Sequence, residues 1–396
     1  MVSNFIESKL CTLYSLANWQ NGLAFKNITF SNSGLPIIKI AELKNGITEQ
    51  TKFTQDKFDN NVFLTKGDML FSWSGNPETS IDTFIYNLSD GWLNQHIFKV
   101  TPKNIDFKYF YYVMKSLNPT FKRIASNKQT TGLGHVTVKD LKEIEIYIPS
   151  QKTQQHIVNI LGSIDEKIEN NDLLSQKYEV LLKNLYLKYF SKNNIDLNNY
   201  TQCNLTDLAN FNGGYSYKGS ELVSSSYGLL TIKNFDRNTG FKLDGFKDLS
   251  QDNKAKNNQY VNQFDIVVAH TDLTQNAEII GNTEIILNKS KYEKIVASMD
   301  LVIVRAKEEI SNSLLYILLH NPDFKKHALG YCAGTTVLHL NKRALNEYIV
   351  YLPKDEALKN KLEVIVDKII KKQTSLIEQN ITLNKLKTLY LKKFFG

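Results

Sequence analysis

Two kinds of hydrophobic pattern alternate along the chain. Short runs rich in β-branched and aromatic residues predict strands: DMLFSW, QHIFKV and IEIYI in the first part, and DIVVAH, MDLVIV and EYIVYL in the second. Each part also contains one helical run, FKYFYYVMKSL or NSLLYILLH, which is predicted to end at an Asn-Pro pair. The pattern therefore predicts two mixed α/β globules.

A longer pattern follows each predicted globule. Apolar positions recur every three or four residues from Ile157 to Tyr189 and from Leu358 to Tyr390, and both stripes are polar near the centre. Each stripe predicts a helix about 50 Å long. A lone helix of this length would expose its stripe, so we expect the two helices to pack as an antiparallel coiled coil. A pair of ordinary surface helices on a globular core is the alternative. The residues predicted to pack are Ile157, Leu161, Ile164, Ile168, Tyr178, Leu182, Leu185, Leu358, Leu362, Ile365, Ile369, Leu376, Leu383 and Leu386.

The same sequence occurs twice, which predicts two copies of one structural unit. TTGLGHVTVKDLKEIEIYIPS (130–150) aligns with GTTVLHLNKRALNEYIVYLPK (334–354) at an offset of 204 residues, so that His135 corresponds to His339. LANWQNG (16–22) matches LANFNGG (208–214) at an offset of 192, and FLTKGDMLFSWSG (63–75) matches YVNQFDIVVAHTD (260–272) at 197. The changing offset indicates insertions in surface loops.

The predicted fold class is therefore mixed α+β, with two similar α/β domains separated by two long antiparallel helices. The predicted boundaries are 1–150 for the first domain, 151–192 for the central helix, 193–354 for the second domain and 355–396 for the final helix.

Composition restricts the class of protein without selecting a partner. The 396 residues are 42% apolar, which suffices for two packed domains. The start MVSNFIESKL lacks a signal pattern, no long apolar stretch exists, and the three cysteines are scattered, so we expect a soluble cytoplasmic protein with no membrane partner. Net charge is +8, but residues 193–354 are neutral, so charge permits a polyanion partner without requiring one.

One motif closes each globule. IEIYIPSQKTQQHIVNILGSIDEKIENND (144–172) combines an apolar strand ending in Pro, a Gln-rich helix start and the sequence Leu-Gly-x-Ile-Asp-x-x-Ile. The second copy retains Val366-Asp367 but has Lys368 in place of Ile164, and KGDMLFSWSGN (66–76) is followed less closely by QFDIVVAHTDLT. Over nearly the whole chain, this doubled arrangement resembles the specificity subunit of type I restriction–modification enzymes.

The resemblance implies a function. Each globule would be a target recognition domain that reads one half of a bipartite sequence in double-stranded DNA. The helices would set the spacer and dock two modification (methyltransferase) subunits, with restriction subunits in a larger complex. No cofactor is expected in this chain, because S-adenosylmethionine, ATP and Mg would belong to the partner subunits.

The sequence lacks the motifs that a catalytic subunit would need. It contains no Asn/Asp-Pro-Pro-aromatic tetrad for a flipped base and no GxxxxGK[ST] loop for a nucleotide phosphate. His320 and His327 lack neighbouring ligands, so no metal site is expected.

Polar loops at strand ends are the predicted DNA contacts, because donors and acceptors read base edges and phosphates. Loop 126–139 and its counterpart 332–343 retain Thr and His in both copies, which a shared structural turn would explain equally well. The loops after Asp68 and Asp265 differ between copies, as expected if each domain reads a different half-site. A core position is the usual alternative for Trp73. The predicted DNA-binding residues are Ser72, Trp73, Ser74, Asn76, Lys128, Gln129, Thr130, Thr131, His135, His270, Thr271, Asp272, Thr274, Thr335, Thr336, His339, Lys342 and Arg343.

Two other functions remain open from the sequence. The chain could be the recognition subunit of a related two-subunit restriction enzyme that cuts outside its site. It could also be a tandem-repeat adaptor that binds protein rather than DNA. A self-contained methyltransferase is disfavoured by the missing tetrad.

Overall fold

The chain folds into two compact units, and each unit contains a segment of both long helices. In this computed structural model, residues 9–26, 28–129, 132–236, 240–272, 276–334 and 337–396 are described. The first unit comprises residues up to Lys167 together with Leu383–Gly396, and the second comprises Ile168–Thr382. Each long helix is therefore divided between the units.

The first unit is built on four small antiparallel or mixed sheets. Its strands are β1 (Lys9–Thr12), β2 (Ala17–Asn21), β3 (Leu35–Ile38), β4 (Phe53–Thr54), β5 (Phe63–Leu64), β6 (Met69–Ser72), β7 (Ser74–Gly75), β8 (Asp82–Ile85), β9 (Gly91–Leu93), β10 (Ile97–Pro102), β11 (Gly134–His135) and β12 (Glu145–Ile148). Its helices are α1 (Ile40–Asn45), α2 (Pro77–Ser80), α3 (Phe107–Ser116), α4 (Asn118–Asn127), α5 (Val138–Glu143) and the start of α6 (Gln151–Tyr189). The sheets have the orders β2-β10-β6-β8, β4-β3-β9-β5 and β1-β12, and β7 pairs with β11.

The second unit repeats this topology. Its strands are β13 (Tyr200–Asn204), β14 (Ala209–Gly213), β15 (Tyr227–Leu230), β16 (Lys247–Leu249), β17 (Tyr260–Val261), β18 (Ile266–Ala269), β19 (Thr271–Asp272), β20 (Thr283–Ile285), β21 (Lys294–Ala297), β22 (Leu301–Ala306), β23 (Cys332–Ala333), β24 (Leu338–Leu340) and β25 (Ile349–Pro353). Its helices are α7 (Leu205–Leu208), α8 (Asn312–Leu319), α9 (Pro322–Leu329), α10 (Arg343–Asn346) and most of α11 (Glu356–Phe395). The orders β14-β22-β18-β20, β16-β15-β21-β17 and β13-β25 reproduce those of the first unit strand for strand, which confirms the predicted internal repeat.

The Asn-Pro pairs end one helix and begin another. Helix α3 stops at Ser116 and α4 starts at Asn118, while α8 stops at Leu319 and α9 starts at Pro322. In α9, the Asn321 side chain accepts a hydrogen bond from Phe324 N–H. Pro322 lies in the first turn, where a backbone N–H would have no acceptor within the helix, so its missing N–H costs nothing. The sequence predicted one helix per unit here and missed the second.

The two long helices pack within each unit as well as on its core. Ile157 and Leu161 join the first unit's core, and Leu182 and Leu362 join the second's. Among the predicted packing residues, the buried ones are Ile157, Leu161, Ile164, Leu182, Leu362, Ile369 and Leu376. The half-buried ones are Ile168, Tyr178, Leu185, Leu358, Ile365 and Leu383.

The prediction that Leu386 packs between the two long helices is wrong, because this residue is 39% exposed. Lys387 occupies the inner position beside it and donates to Asp165 Oδ1 at 2.5 Å, while Tyr112 donates to Asp165 Oδ2 at 2.9 Å. An ion pair therefore replaces the expected leucine contact in the first unit.

Candidate nucleic-acid interface

In the first unit, the structure joins two loops that the sequence singled out separately. Strand β7 follows β6 and pairs antiparallel with β11, with Ser74 opposite His135 and Gly75 opposite Gly134. The second unit makes the same connection, with Thr271 opposite His339 and Asp272 opposite Leu338. We call these pairs, with their flanking loops, the first and second loop junctions.

Backbone hydrogen bonds hold both junctions in the same way. Val136 N–H donates to Trp73 O at 2.8 Å, and Leu340 N–H donates to His270 O at 2.9 Å. Trp73 and His270 correspond under the 197-residue offset, and Val136 and Leu340 under the 204-residue offset. Because the main chain makes these bonds, side chains can change without loss of the scaffold.

Several predicted contacts are buried, which corrects the prediction that they touch DNA. The Ser72 hydroxyl donates to Ser80 O and Asp82 O, and Ser72 has no exposed surface. Asp272 is 2% exposed and accepts from Ile279 N–H at 2.7 Å and Ile280 N–H at 3.1 Å. Thr271 is also buried and donates to Asp300 Oδ1 at 2.9 Å. These side chains fix the junction rather than face a ligand.

Lys128 also has a structural partner. Its Nζ donates to both carboxylate oxygens of Asp140 at 2.6 and 2.7 Å. Burial raises the pKa of Asp140, but hydrogen bonds from Lys128 and Thr137 outweigh it, so the pKa lies below its usual range. Lys128 is thus held as the counter-ion of a largely buried carboxylate.

Trp73 is half-buried at the edge of the first unit's core. Its ring packs 5.6 Å from Phe98 and 5.9 Å from His96, and its indole N–H donates to Asn21 Oδ1 at 3.1 Å. Asn76 is exposed, but its side-chain oxygen accepts from Glu78 N–H and Thr79 N–H and so caps α2. Trp73 therefore lies partly in the core and partly at the surface, so that neither the predicted core position nor the predicted accessible position describes it fully.

The remaining predicted side chains lie on or near the surface. Gln129, His339, Lys342 and Arg343 are exposed, while Ser74 and His135 are half-buried. Arg343 Nε donates to Glu347 at 2.7 Å. The predicted contacts Thr130, Thr131, Thr274, Thr335 and Thr336 lie outside the described residues.

His270 differs electrostatically from its counterpart Trp73. Burial lowers the pKa of His270, and the nearby His339 and Lys342 lower it further. The lowered pKa favours the neutral imidazole, which has one donor and one acceptor nitrogen. Such a group can make paired hydrogen bonds without adding charge.

Sequence reasoning missed two elements of the junctions. A lysine four residues after each Asn-Pro asparagine supports the loop: Lys122 donates to Glu78 O at 2.7 Å, and Lys325 donates to Ala277 O at 2.9 Å and Ile280 O at 2.6 Å. Burial lowers the pKa of Lys325 to about 8. The second missed element is a turn next to each junction, at residues 94–96 and 298–300. The two lysines could have been found from the sequence, because each lies four residues after the asparagine of an Asn-Pro pair.

The described residues contain no group of three or more His, Cys, Asp or Glu side chains that could hold a metal ion. No helix among the residues that the structure describes is long and apolar enough to cross a membrane.

An internally duplicated α/β protein, with a long helix closing each repeat, is the class that this fold defines. Residues 6–180 match the family described as type I restriction modification DNA specificity domain. The solved S subunit of a type I restriction–modification system from M. genitalium has the same fold: TM-score 0.51, 17% identity, covering 100% of this chain and 98% of that one.

Curated relatives carry matching descriptions. The type I restriction enzyme HindI specificity subunit of Haemophilus influenzae is 26% identical over 132 residues, covering 32% of this chain and 28% of the relative. The putative type I specificity subunit S.MgeORF438P of Mycoplasma genitalium is 29% identical over 130 residues, covering 30% and 33%. The MjaVIII specificity subunit of Methanocaldococcus jannaschii is 25% identical over 341 residues, covering 80% and 75%. The chain thus spans a third or less of the length of the first two relatives.

Proposed function

We propose that this chain is the DNA-recognition subunit of a type I restriction–modification complex, in which each unit reads one half of a bipartite target. The observation that carries the proposal is the pair of loop junctions. Equivalent backbone bonds build both, yet equivalent side chains differ, as Trp73 and His270 do. A reader of two different half-sites needs this combination, because base contacts specify sequence while the scaffold positions them.

The chemistry of the complex would reside on partner subunits. The helices α6 and α11 would dock modification subunits that bind S-adenosylmethionine and transfer its methyl group to DNA, and the same helices would set the spacer. Restriction subunits would add ATP- and Mg-dependent cleavage. This chain would contribute recognition only.

A binding experiment on the assembled complex tests the proposal. The chain is co-purified with its modification subunit, and random-sequence duplex is selected at 50 and 200 mM salt. The proposal expects enrichment of two short conserved blocks separated by a fixed unread gap, with affinity falling as salt rises because phosphate contacts release counterions.

Other outcomes identify the alternatives. Absence of any enriched sequence contradicts DNA recognition and favours an adaptor that binds protein. Transfer of a labelled methyl group to DNA by the purified chain alone contradicts a recognition-only role.

A further inference from the structure

A short turn lies beside each loop junction and was not among the sequence-predicted contacts. In the first unit it is Asn94–His96, between β9 and β10, and in the second it is Ser298–Asp300, between β21 and β22. The two turns correspond under the offset of 204 residues.

Each turn is bonded to its loop junction through the main chain. Trp73 N–H donates to His96 O at 3.2 Å in the first unit, and His270 N–H donates to Asp300 O at 2.7 Å in the second. The turn, the loop after β6 or β18, and the strand β11 or β24 therefore form one continuous surface in each unit.

The other side of each turn is bonded to the chain that leaves β2 or β14. Gln95 N–H donates to Leu23 O, and Met299 N–H donates to Tyr215 O, both at 2.8 Å. Gly22 N–H donates to Ile97 O at 3.2 Å, and Gly214 N–H donates to Leu301 O at 3.0 Å. The backbone geometry is thus the same in both units on both sides of the turn.

The two glycines explain why a residue without a side chain recurs at this place in the repeat. A Cβ on Gly22 would lie 2.3 Å from Asn94 O, and a Cβ on Gly214 would lie 2.0 Å from Ser298 O. The backbone of the turn can approach this closely only because both residues are glycine.

The turn side chains differ between the units although the frame is the same. The first turn presents Gln95 and His96, whose Nε2 atoms lie 3.2 Å apart, with His96 exposed and Gln95 half-buried. The second turn presents Met299, which is 54% exposed, and Asp300, whose carboxylate accepts from Thr271 Oγ1 at 2.9 Å. More than half of the Met299 surface is therefore accessible at the turn.

We propose that these turns are base-reading elements, one per half-site, with Gln95 and His96 as the specificity-determining residues of the first and Met299 of the second. The inference rests on the proposed function and assigns it to particular side chains. A glutamine amide matches the donor–acceptor edge of adenine, whereas a thioether and its methyl group match the thymine C5-methyl group by apolar contact. The first turn would therefore read a polar base edge and the second a thymine methyl.

Substitution of Met299 by Gln tests the assignment in the complex of the full chain with its modification subunit. Selection from random duplex is repeated with M299Q and with a matched control, L197Q, which changes another exposed apolar residue of the second unit (Leu197, 47% exposed). The inference expects M299Q to change the preferred base at one position of one half-site, lowering the wild-type preference there about 5- to 150-fold, the range typical of one mismatched base pair. The other half-site and the gap should be unchanged, and L197Q should select the wild-type sequence.

The outcomes separate the inference from the proposed function. Unchanged selection by M299Q, or an equal loss of affinity for all sequences, overturns the base-reading role of the turn while leaving the proposed function in place. A wild-type complex with no preferred sequence overturns the proposed function itself. Matching thermal unfolding of M299Q and wild type shows that the variant is folded.

Discussion

At the residue scale, the glycines that bring each turn against its neighbouring strand give a direct test of the frame. Gly214→Ala should lower the free energy of unfolding by about 1–3 kcal/mol, because the new methyl group overlaps the main chain at Ser298. The adjacent Gly213→Ala is a matched control, since a Cβ there meets no atom within 4 Å. Urea unfolding of both variants measures the difference, and equal stability would contradict the close approach.

A buried ion pair in the second unit makes stability depend on pH. His320 Nε2 lies 2.8 Å from Glu179 Oε2, and its Nδ1 lies 2.6 Å from Thr283 O. Both ring nitrogens face acceptors, so the imidazolium form fits the site. Burial acts to lower the pKa of His320, but the hydrogen bond to Glu179 and the charges of Glu284 and Glu179 raise it to about 9.

The sign of the pH effect follows from these shifts. The stability contributed by His320 is fully present below about pH 6.5 and is lost as pH rises through about 9. Burial also raises the pKa of Glu284 to about 8, and its contribution is lost as pH rises through that value. We therefore expect the free energy of unfolding to fall between pH 6.5 and 8, and to fall less steeply in His320→Gln. Above pH 8 the lowered pKa of Lys325 acts in the opposite sense. Parallel pH profiles for the two proteins, measured by urea unfolding, would contradict the account.

Residue roles at the junctions were only partly readable from the sequence. The pattern located Trp73 and His270 in variable loops, but it could not show that Ser72 and Asp272 point inward, since a polar residue at a strand end can serve either a turn or a ligand. Burial and hydrogen-bond partners decide between these roles, and they depend on the tertiary fold.

At the scale of elements, the polar centre of the long helices sets their register. Asn171 is 1% exposed and its Nδ2 donates to Asn380 Oδ1 at 2.8 Å, within the second unit. Glu179 accepts from Gln373 Nε2 at 2.5 Å, so residue numbers rise along α6 as they fall along α11. The two segments are therefore antiparallel in this unit, as predicted.

Asn171→Ala should lower the free energy of unfolding by about 1–3 kcal/mol, because it removes one partner from a buried polar contact. Replacing both Asn171 and Asn380 by Leu should recover part of this loss, since the two amides that pair with each other are removed together, while the hydrogen bond from Asn380 to Asp172 Oδ1 is lost as well. The exposed neighbour Asn170→Ala is the control and should change stability by less than about 0.5 kcal/mol. A double variant less stable than Asn171→Ala would show that the contact does more than satisfy buried groups.

Element identity was more predictable than element packing. The strand runs and both long helices follow from periodicity, because burial on one face imposes a fixed spacing. The exposed Leu386 and the inward Lys387 do not follow from it, because an ion pair with Asp165 replaces an apolar contact in the first unit. The pairings β7–β11 and β19–β24 involve only two or three residues each, too few to leave a periodic signal.

At the scale of the whole molecule, the duplication is the feature that sequence predicted best. Offsets of 192, 197 and 204 residues mark segments that the structure places in equivalent strands, and Gly22 and Gly214 recur because the turn approaches both of them closely. The complete target sequence does not follow from the amino-acid sequence or the fold, since under the proposed function it depends on how a few side chains contact DNA.

Methylation mapping with a domain exchange tests the central claim most directly. Residues 1–150 are replaced by the corresponding segment of a relative with a different target, and the complex with its modification subunit is used to methylate DNA whose modified sites are then sequenced. The account predicts that one half of the bipartite target changes while the other half and the gap stay the same. A change in both halves, or in neither, would contradict the claim that each unit reads its own half-site.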